Sequence, residues 1–430
     1  MNNISSWGNI PKYQHKNIFS ISDSSIFHEN KLTFLSHGLG RSYGDVCLNE
    51  NENLIITTSN KKILSLDNNS GTLNVESGAS IRDVLDVITK SNWFLPVVPG
   101  TQNVTIGGAI ANDIHGKNHH RFGSFGNHVQ SILLMRSDGE VLSCSDTQNR
   151  ELFFATIGGL GLTGVIISAV IKIIKIKNNY IAGEIKRFKS LEDYSEINSN
   201  YDKNYDYTVS WIDCLSKAGQ DIRGVYLSGN HSEENLRNKN NTEKKITFPI
   251  TPPFSLVNNL TMKGLNNFYF SINRERIISK QHYRTFFFPL DTINWWNKAY
   301  GKKGFFQYQF VIPKKESSKG LNKILKEIKT NGEIPALGVL KSFGNIKSKG
   351  MISFPRDGIT MALDFPNKGE DTLKFFNKLD KIIMEYGGAL YPAKDARMSK
   401  EVFETSFPKF DLFSQYIDPR FSSSFYRRIK

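Results

Sequence analysis

The chain has 430 residues, a length that suits two domains better than one. It has no apolar run of about 18 residues and begins with a polar segment, so we expect neither a membrane-spanning helix nor a secretory signal. Its net charge is +14, yet helix-turn-helix, zinc-finger and RNP patterns are absent, which makes nucleic acid a poor candidate partner.

A first glycine cluster, HGLGRSYGD (37–45), lies between two predicted strands, Lys31–Ser36 and Leu54–Thr58. Its glycine spacing is similar to that of a dinucleotide-binding fingerprint. Such a fingerprint requires a helix that begins at the glycine cluster. The residues after Gly44 have no helical apolar period. The pattern therefore argues against a Rossmann site.

The clearest helix of the first half is predicted over Ser80–Ser91. Its apolar residues from Ile81 to Ile88 share one face, and Ser80 is a suitable N-cap with Asp83 in the first turn. The elements predicted after it are a hairpin over 131–145, a short helix over 151–157 and a long strand over 163–177.

The segment Pro96–Val129 combines many glycines with regularly placed apolar residues. Glycine packs nothing and costs backbone entropy in a core, whereas a disordered linker would not carry so many Val and Ile residues. This composition favours main chain that lies against a large flat or anionic ligand.

Beyond about residue 178 the glycine content falls and the aromatic content rises. Two strands are predicted within 205–228, around a Ser-Lys-Ala-Gly turn, and the polar stretch 231–245 is predicted as a mobile loop that 249–261 continues as a lid. Later elements are strands over 305–313, 338–342 and 359–365 and helices over 321–330 and 373–386. The expected fold class is α+β, with two domains: residues 1–178 with two small sheets, and residues 179–387 with an antiparallel sheet flanked by helices.

Six segments in order resemble the flavin enzymes of the vanillyl-alcohol-oxidase (PCMH) type, and most of all the family of decaprenylphosphoryl-ribose 2-oxidases. They are GLGRSYGD (38–45), PVVPGTQNVTIGGAIANDIHGKNHH (96–120), GSFGNHV (123–129), ELFFATIGGLGLTGVI (151–166), FFQYQFVIP (305–313) and GGALYPAKDAR (387–397). The resemblance implies an FAD domain at 1–178, a substrate domain at 179–387 and a C-terminal segment, 388–430, that returns to the FAD domain.

FAD is the cofactor that this resemblance implies, and ordinary tight turns are the structural alternative for the glycines. Many relatives carry, in the first glycine loop, a histidine joined covalently to the flavin. Arg41 stands there and cannot form that bond, so we expect non-covalent FAD. The candidate FAD-binding residues are Gly38, Gly40, Arg41, Ser42, Tyr43, Gly44, Gly100, Thr101, Gly107, Gly108, Asn112, Asp113, His115, Gly116, Ile166 and Tyr391.

The candidate catalytic residues are Lys394, Tyr391 and His115. A neutral imidazole at His115 can relay a proton near pH 7, or it can make a structural hydrogen bond beside the flavin. Lys394 and Tyr391 match the active-site segment of the family, where a lysine can steady charge and bind substrate. The alternative for Lys394 is a surface pair with Asp395.

The candidate substrate-binding residues are Gln307, Gln309, Lys341, Trp211 and Lys394. Gln307 and Gln309 share one face of a strand, and two amides suit the recognition of sugar hydroxyls, although either amide could instead be buried and satisfied by its neighbours. Mycobacterial members of the family have a cysteine where this chain has Ala362. Neither the cysteines nor the histidines are spaced for a metal site, so no metal is expected.

The resemblance implies oxidation of the C2 hydroxyl of a polyprenylphosphoryl ribose. A separate NAD(P)H-dependent keto-reductase would complete epimerisation to the arabinose form for the cell envelope. The alternatives are an aldonolactone or alditol oxidase acting on a free sugar and a non-enzymatic basic binding module. The positive charge is either a solvated lysine-rich surface or an attraction to anionic lipid and phosphorylated substrate. We expect a cytoplasmic protein with peripheral contact to the inner membrane face.

Overall fold

A computed structural model describes residues 4–23, 26, 32–215, 222–234, 236 and 245–430. Its strands, in chain order, are β1 (Ile18–Ser20), β2 (Phe34–His37), β3 (Asn53–Ile56), β4 (Ile63–Asp67), β5 (Thr72–Glu76), β6 (Trp93–Phe94), β7 (Val129–Met135), β8 (Val141–Ser145), β9 (Val165–Lys172), β10 (Ile174–Lys175), β11 (Tyr180–Phe188), β12 (Tyr207–Asp213), β13 (Arg223–His231), β14 (Ile246–Thr247), β15 (Arg276–His282), β16 (Ile293–Asn294), β17 (Phe305–Ile312), β18 (Gly338–Phe343), β19 (Gly358–Pro366) and β20 (Ala389–Leu390). Its α-helices are α1 (Ile81–Ile88), α2 (Ile106–Ala111), α3 (His119–Phe122), α4 (Arg150–Thr156), α5 (Leu191–Tyr201), α6 (Asn259–Ile272), α7 (Tyr283–Phe287), α8 (Ser317–Thr330), α9 (Glu370–Glu385), α10 (Lys400–Ser406), α11 (Phe410–Ser414) and α12 (Ser424–Ile429).

Two sheets organise the first part of the chain. One is parallel, in the order β1-β3-β2, and the other is antiparallel, in the order β4-β5-β9-β7-β8. Helix α1 is fixed by a capping box between Ser80 and Asp83 and buries its apolar face, because one side of the helix is wholly aliphatic. Helix α2 approaches β5 so closely that a Cβ on Gly107 would lie 3.0 Å from the Cβ of Ser77.

An eight-stranded antiparallel sheet forms the second part, in the order β15-β11-β13-β12-β18-β19-β17-β20. Side chains alternate along its strands, so the two faces have different roles. Tyr308 and Phe310 belong to a large core shared with α8 and α9, where Tyr308 stacks on Phe376. The opposite face carries Gln307 and Gln309 toward a cavity.

The C-terminal segment connects both parts. β20 pairs with β17, and the chain then returns to the first sheet, where Phe421 bridges to Phe34. In α12, Arg428 forms an ion pair with the buried Asp45 at 2.6 Å and a second with Asp395 at 3.2 Å. The domain boundaries at residues 178 and 387 remain a prediction. The arrangement of the sheets is compatible with them.

The α+β class and most predicted elements are confirmed, including the capped helix, the 131–145 hairpin and the two late helices. The single strand predicted over 163–177 is wrong. The chain leaves the five-stranded sheet after Lys172, and Ile174–Lys175 pair instead with Trp93–Phe94. The Ile173 amide still donates to the Gly71 carbonyl, in register with the β5–β9 pairing, and the change of partner strand follows directly after it.

Parts of three predictions lie outside the described residues: the first residue of the 31–36 strand, the turn at 216–219 and most of the 231–245 loop. Residues 249–258 form no helix or strand, and α6 begins at Asn259, after its N-cap Asn258. Among the residues that the structure describes, every helix is too short or too polar to span a bilayer.

Candidate active site

A cavity of about 540 Å³ lies between the glycine-rich segments and the eight-stranded sheet. This volume is in the range of pockets that enclose a cofactor or small ligand. Seventeen of the predicted site residues line it: Gly38, Gly40, Arg41, Ser42, Tyr43, Gly100, Thr101, Gly107, Gly108, Asn112, His115, Ile166, Gln307, Gln309 and Lys341, with Tyr391 and Lys394 from the C-terminal segment.

The first glycine stretch forms one wall because its backbone adopts conformations that favour glycine. Gly40 has φ +60°, and a Cβ on Gly38 would lie 2.4 Å from Oγ1 of Thr105. The Arg41 guanidinium lies 4.1 Å from the centre of the Trp7 ring. This stretch therefore brings a cation to the cavity within a wall of unsubstituted main chain.

The second glycine stretch approaches from the other side. Thr105 caps α2 by accepting a hydrogen bond from the Gly108 amide, and a Cβ on Gly100 would meet no described atom within 4 Å. Thr101 donates to Asp291 at 2.6 Å, which ties this stretch to the segment that follows α7. Hydrogen bonds of Thr101 and Thr105 therefore fix this backbone, and its glycines line the cavity.

His115 connects the second glycine stretch to the eight-stranded sheet. Its Nδ1 lies 3.0 Å from Nζ of Lys341 and its Nε2 lies 2.9 Å from Nε2 of Gln309. Burial, followed by the charge of Lys341, lowers the pKa of His115 well below its usual value, and burial lowers the pKa of Lys341 likewise. These distances fit a neutral imidazole with both ring nitrogens engaged, Nδ1 by Lys341 and Nε2 by Gln309.

Lys394 faces an acidic group that the sequence analysis did not identify. Its Nζ lies 3.8 Å from the centre of the Tyr43 ring, and it is not paired with Asp395, which instead bonds to Arg428. Burial lowers the pKa of Lys394, and the carboxyl group of Asp364 opposes that effect. The pKa of Asp364 is raised by burial, although Gln307, which donates to it at 2.5 Å, favours its charged form.

Tyr391 lies at the cavity wall with its hydroxyl already engaged. That hydroxyl donates to the Asn112 carbonyl at 2.9 Å, and the ring stacks on Phe354 with centroids 4.5 Å apart. The contact joins the C-terminal segment to the second glycine stretch. Tyr391 is therefore placed to position its neighbours.

Four predicted residues are absent from the described cavity wall. A Cβ on Gly44 would lie 1.7 Å from the Asp395 carbonyl oxygen, and one on Gly116 would lie 2.8 Å from that of Val98, so both glycines permit close packing of main chains. Asp113 is fully buried and accepts hydrogen bonds from Ser124 and the Gly126 amide.

Trp211 is the fourth, and the expectation that it lines the pocket is not met. Its ring lies 4.7 Å from that of Tyr269 on α6, on the same face of the sheet as the cavity but beyond its wall. Its strand neighbour Val339 reaches the cavity wall instead.

Several residues of the cavity wall belong to no motif or pattern that was recognised in the sequence. Ala362 lines the cavity, and so do residues from distant parts of the chain that were not predicted from the sequence: Trp7, Ser36, Ser77, Asp291, Leu337, Val339 and Thr360. Among them, Thr360 receives a hydrogen bond from Gln309 at 3.2 Å. An acidic or polar residue within the apolar run 359–365 is the pattern that could have revealed Asp364 and Thr360.

The residues present fit a phosphate-bearing flavin. Four buried polar atoms on the cavity wall find no hydrogen-bond partner among the residues that the structure describes: Nε of Arg41, Oγ of Ser36, Oγ of Ser77 and Oδ1 of Asn112. Buried polar groups are rarely left unpaired, so such atoms mark where a ligand binds. A cation, two hydroxyls and an amide oxygen beside open glycine main chain suit the phosphates and polar edges of FAD.

Comparison with known proteins decides the family. Residues 24–145 match the FAD binding domain family. A decaprenylphosphoryl-β-D-ribose oxidase of Mycolicibacterium smegmatis is 34% identical over 411 residues, which cover 92% of this chain and 89% of that protein. The chain belongs to this oxidase family. The resemblance drawn from the sequence is confirmed, and the protein is an FAD-dependent oxidoreductase.

Two other relatives show how far the likeness extends. An uncharacterized protein of Streptomyces coelicolor is 26% identical over 81% of this chain and 99% of its own length. L-gulonolactone oxidase of Mus musculus is 27% identical over 135 residues, or 31% of this chain and 30% of that enzyme. This member of the oxidase family therefore shares both of its parts with the bacterial relatives.

Proposed function

We propose that the protein oxidises the C2 hydroxyl of a polyprenylphosphoryl-β-D-ribose to the ketone. The observation that carries the proposal is one polar wall, on which Gln307, Gln309, Lys341 and Lys394 lie together opposite the glycine stretches. The full-length likeness to an oxidase of a lipid-linked ribose supports the same substrate class.

The polar wall is suited to a sugar because it holds the neutral amide groups of Gln307 and Gln309, whose oxygens can accept from hydroxyls, at fixed positions. Gln307 is held by Asp364 and Gln309 by His115 and Thr360, so both amides keep their orientation when a substrate binds. Preorganised amides cost little side-chain entropy on binding. We assign recognition of the ribose hydroxyls to Gln307 and Gln309, with Lys341 beside them.

Bound FAD would supply the acceptor for the hydride of the carbinol carbon. The hydroxyl proton needs an acceptor in the protein, and Lys394 is the group whose environment suits that role. Burial favours its neutral amine, which can take a proton, while Asp364 stabilises the resulting ammonium. Both ring nitrogens of His115 are occupied by Gln309 and Lys341, so we assign His115 a positioning role, as we do Tyr391.

The flavin is proposed to be bound without a covalent bond. Arg41 occupies the place at which many relatives of this fold carry a linking histidine, and a guanidinium does not form that bond. Precipitation with acid should leave the yellow colour in the supernatant. Colour that stays with the pellet would contradict the proposal.

The product of this step is a keto sugar on a lipid carrier, and an NAD(P)H-dependent reductase is the class of enzyme that would return it to the arabinose form for cell-envelope glycan synthesis. The net charge of +14 supports peripheral contact with anionic lipid at the inner face of the membrane.

Anaerobic titration tests the function. The FAD-loaded protein is given prenylphosphoryl ribose in detergent and the flavin absorbance is followed, with free arabinono- and gulonolactone as parallel samples. Bleaching by the prenylphosphoryl ribose alone is expected. A flavin that the lipid-linked sugar leaves oxidised contradicts the proposal, and bleaching by a lactone would instead favour an aldonolactone oxidase.

Two variants test the assignment of residues. Lys394→Ala should reduce flavin slowly while still binding FAD, whereas Lys400→Ala, an exposed lysine on α10, should match the parent protein. A Lys394→Ala protein that turns over as fast as the parent would remove Lys394 from the proposed chemistry.

A further inference from the structure

Large apolar side chains are exposed together around α6. Leu260, Leu265, Phe268 and Ile272 project from this helix, and Phe254 precedes it; Leu260 is 83% exposed, Phe268 62% and Phe254 68%. We call these five residues the apolar face. Single exposed hydrophobic residues are common on protein surfaces, but a contiguous set of this kind marks an interaction site.

The apolar face belongs to an ordered helix. Asn258 caps α6 with a capping box, and the opposite side of the helix is attached to the sheet, where Asn266 donates to Asp213 at 2.7 Å. Arg187 binds the carbonyl of Ser271 near the C-terminal end. The exposed side chains therefore project from a fixed support.

The charges beside the apolar face are mostly positive. Between residues 246 and 280 the chain has four basic residues, Lys263, Arg274, Arg276 and Lys280, and a single acid, Glu275. All four basic residues are exposed. A helix with an apolar face and flanking Lys and Arg is the pattern of segments that lie in the interface of an anionic membrane.

The apolar face adjoins the opening of the active-site cavity. Ile293 and Trp295 line that cavity and are themselves partly exposed, and β16, which includes Ile293, pairs with Ile246–Thr247. The Leu256 amide donates to the carbonyl of Ala299 in the same region. A surface seated on the apolar face would thus lie next to the cavity opening.

We infer that the apolar face around α6 docks the protein onto an anionic phospholipid bilayer, with the cavity opening toward the lipid. A second copy of the chain fits less well, because two such faces would bring like charges together. The inference deepens the proposed function, since a lipid-linked substrate could pass from the bilayer to the cavity without crossing water.

Vesicle sedimentation tests the inference without any substrate. The FAD-loaded protein is mixed with vesicles of phosphatidylcholine alone, or of phosphatidylcholine with phosphatidylglycerol. Stronger binding to the second kind is expected, and added salt should weaken it. Phe268→Ser with Ile272→Ser should weaken binding at least about tenfold, because two exposed apolar side chains can no longer be buried in lipid.

Two further variants separate apolar from electrostatic contributions. Lys263→Gln with Arg276→Gln should weaken binding to the anionic vesicles at least about tenfold and leave binding to neutral vesicles unchanged. Leu64→Ser with Val141→Ser is the matched control, since these exposed apolar residues lie on the two edge strands of the five-stranded sheet, and it should bind like the parent.

Three results would overturn the inference: a parent protein that stays in the supernatant with anionic vesicles, a Phe268→Ser/Ile272→Ser protein that sediments equally well, or a dimer in solution that this double variant dissociates. The last would assign the apolar face to self-association. Because the vesicles contain no ribose lipid, these outcomes do not depend on the substrate. Conversely, turnover of a short-chain phosphoryl ribose in solution tests the proposed function alone, and all three double variants should retain it.

Discussion

Gln307 and Asp364 lie directly opposite each other on β17 and β19, and the Gln307 amide donates to the Asp364 carboxyl group at 2.5 Å. The carboxyl group is fully buried, and its charge interacts favourably with Lys394. Asp364 therefore orients the Gln307 amide, which we propose binds the sugar, and also raises the pKa of Lys394, which we propose accepts the proton.

Asp364→Asn should separate these two roles, because asparagine keeps an oxygen that can accept from Gln307 but removes the negative charge. Without that charge the pKa of Lys394 falls further, so its neutral amine persists to lower pH. We expect the acid limb of substrate-dependent flavin reduction to move to lower pH by about one unit. Stopped-flow absorbance over a pH series measures the shift.

Asp380→Asn is the control for this experiment. Asp380 is also buried, but it bonds to Tyr308 and Arg397 in the core on the other face of the sheet. Its loss should reduce stability and leave the pH profile in place. An acid limb that Asp364→Asn does not move would show that Asp364 does not influence the proton acceptor.

Local patterns were sufficient to predict part of this site. Strand alternation places Gln307 and Gln309 on one face, and the structure confirms it. The pairing of Asp364 with Lys394 was not predictable in this way, because it depends on the register of β17 against β19 and on the return of the C-terminal segment. Register between strands distant in sequence is set by packing that a single strand does not reveal.

The glycines show a second limit. A glycine-rich composition indicates that the main chain makes a close contact. It does not indicate whether that contact is with a ligand or with another part of the protein. Gly100 faces the cavity, whereas Gly44 and Gly116 face neighbouring main chain. Helix α6 was also missed, since its sequence contains Gly264 and several Asn residues of weak helix propensity, and tertiary contacts such as Asn266 with Asp213 compensate.

Arg41→Gln should weaken FAD binding by about 10–100-fold, the effect of losing one charge-assisted hydrogen bond. The Arg41 guanidinium lies over Trp7 on the cavity wall, and its Nε has no partner among the described residues. Fluorescence titration of the flavin-free protein with FAD measures the Kd. Arg150→Gln is the matched control, since Arg150 packs over Phe154 at 5.1 Å outside the cavity. Equal Kd values for the two variants would count against a contact between Arg41 and the cofactor.

Flavin reduction should be insensitive to maleimides at neutral pH. Ala362 lines the cavity where mycobacterial relatives carry a cysteine, and burial raises the pKa of Cys47 and Cys214 to about 12 and that of Cys144 to about 11. Few thiolates are then available to react.

Ala362→Cys should make the enzyme sensitive to the same reagents. Because Cys47 also lines the cavity, the labelled enzyme should be compared with Ala362→Cys/Cys47→Ser, which should lose activity at the same rate. Cys47 would instead be the reactive thiol if maleimides inactivated the parent protein, or if the Cys47→Ser substitution alone prevented that inactivation.

Lys117 should make stability depend on pH in the alkaline range. Its Nζ donates to the Phe287 carbonyl at 2.9 Å, and burial lowers its pKa from 10.5 to about 8. Between these two values the unfolded chain binds more protons than the folded one, so this group's contribution makes the free energy of unfolding rise with pH from about 8 to 10.5. Below pH 8 the lysine is charged in both states, and the full cost of its burial remains.

Lys117→Met removes that dependence. We compare the free energy of unfolding of variant and parent at pH 7 and at pH 10.5. The lost hydrogen bond to Phe287 affects this free energy equally at both pH values. Relative to the parent, the variant should therefore be about 1–2 kcal/mol more stable at pH 7 than at pH 10.5. Urea unfolding at the two pH values measures it, with exposed Lys61→Met as the control for removing one positive charge. If the parent and Lys117→Met change stability in parallel across this range, the Lys117 side chain is solvated in the folded protein, and the burial that lowers its pKa does not occur.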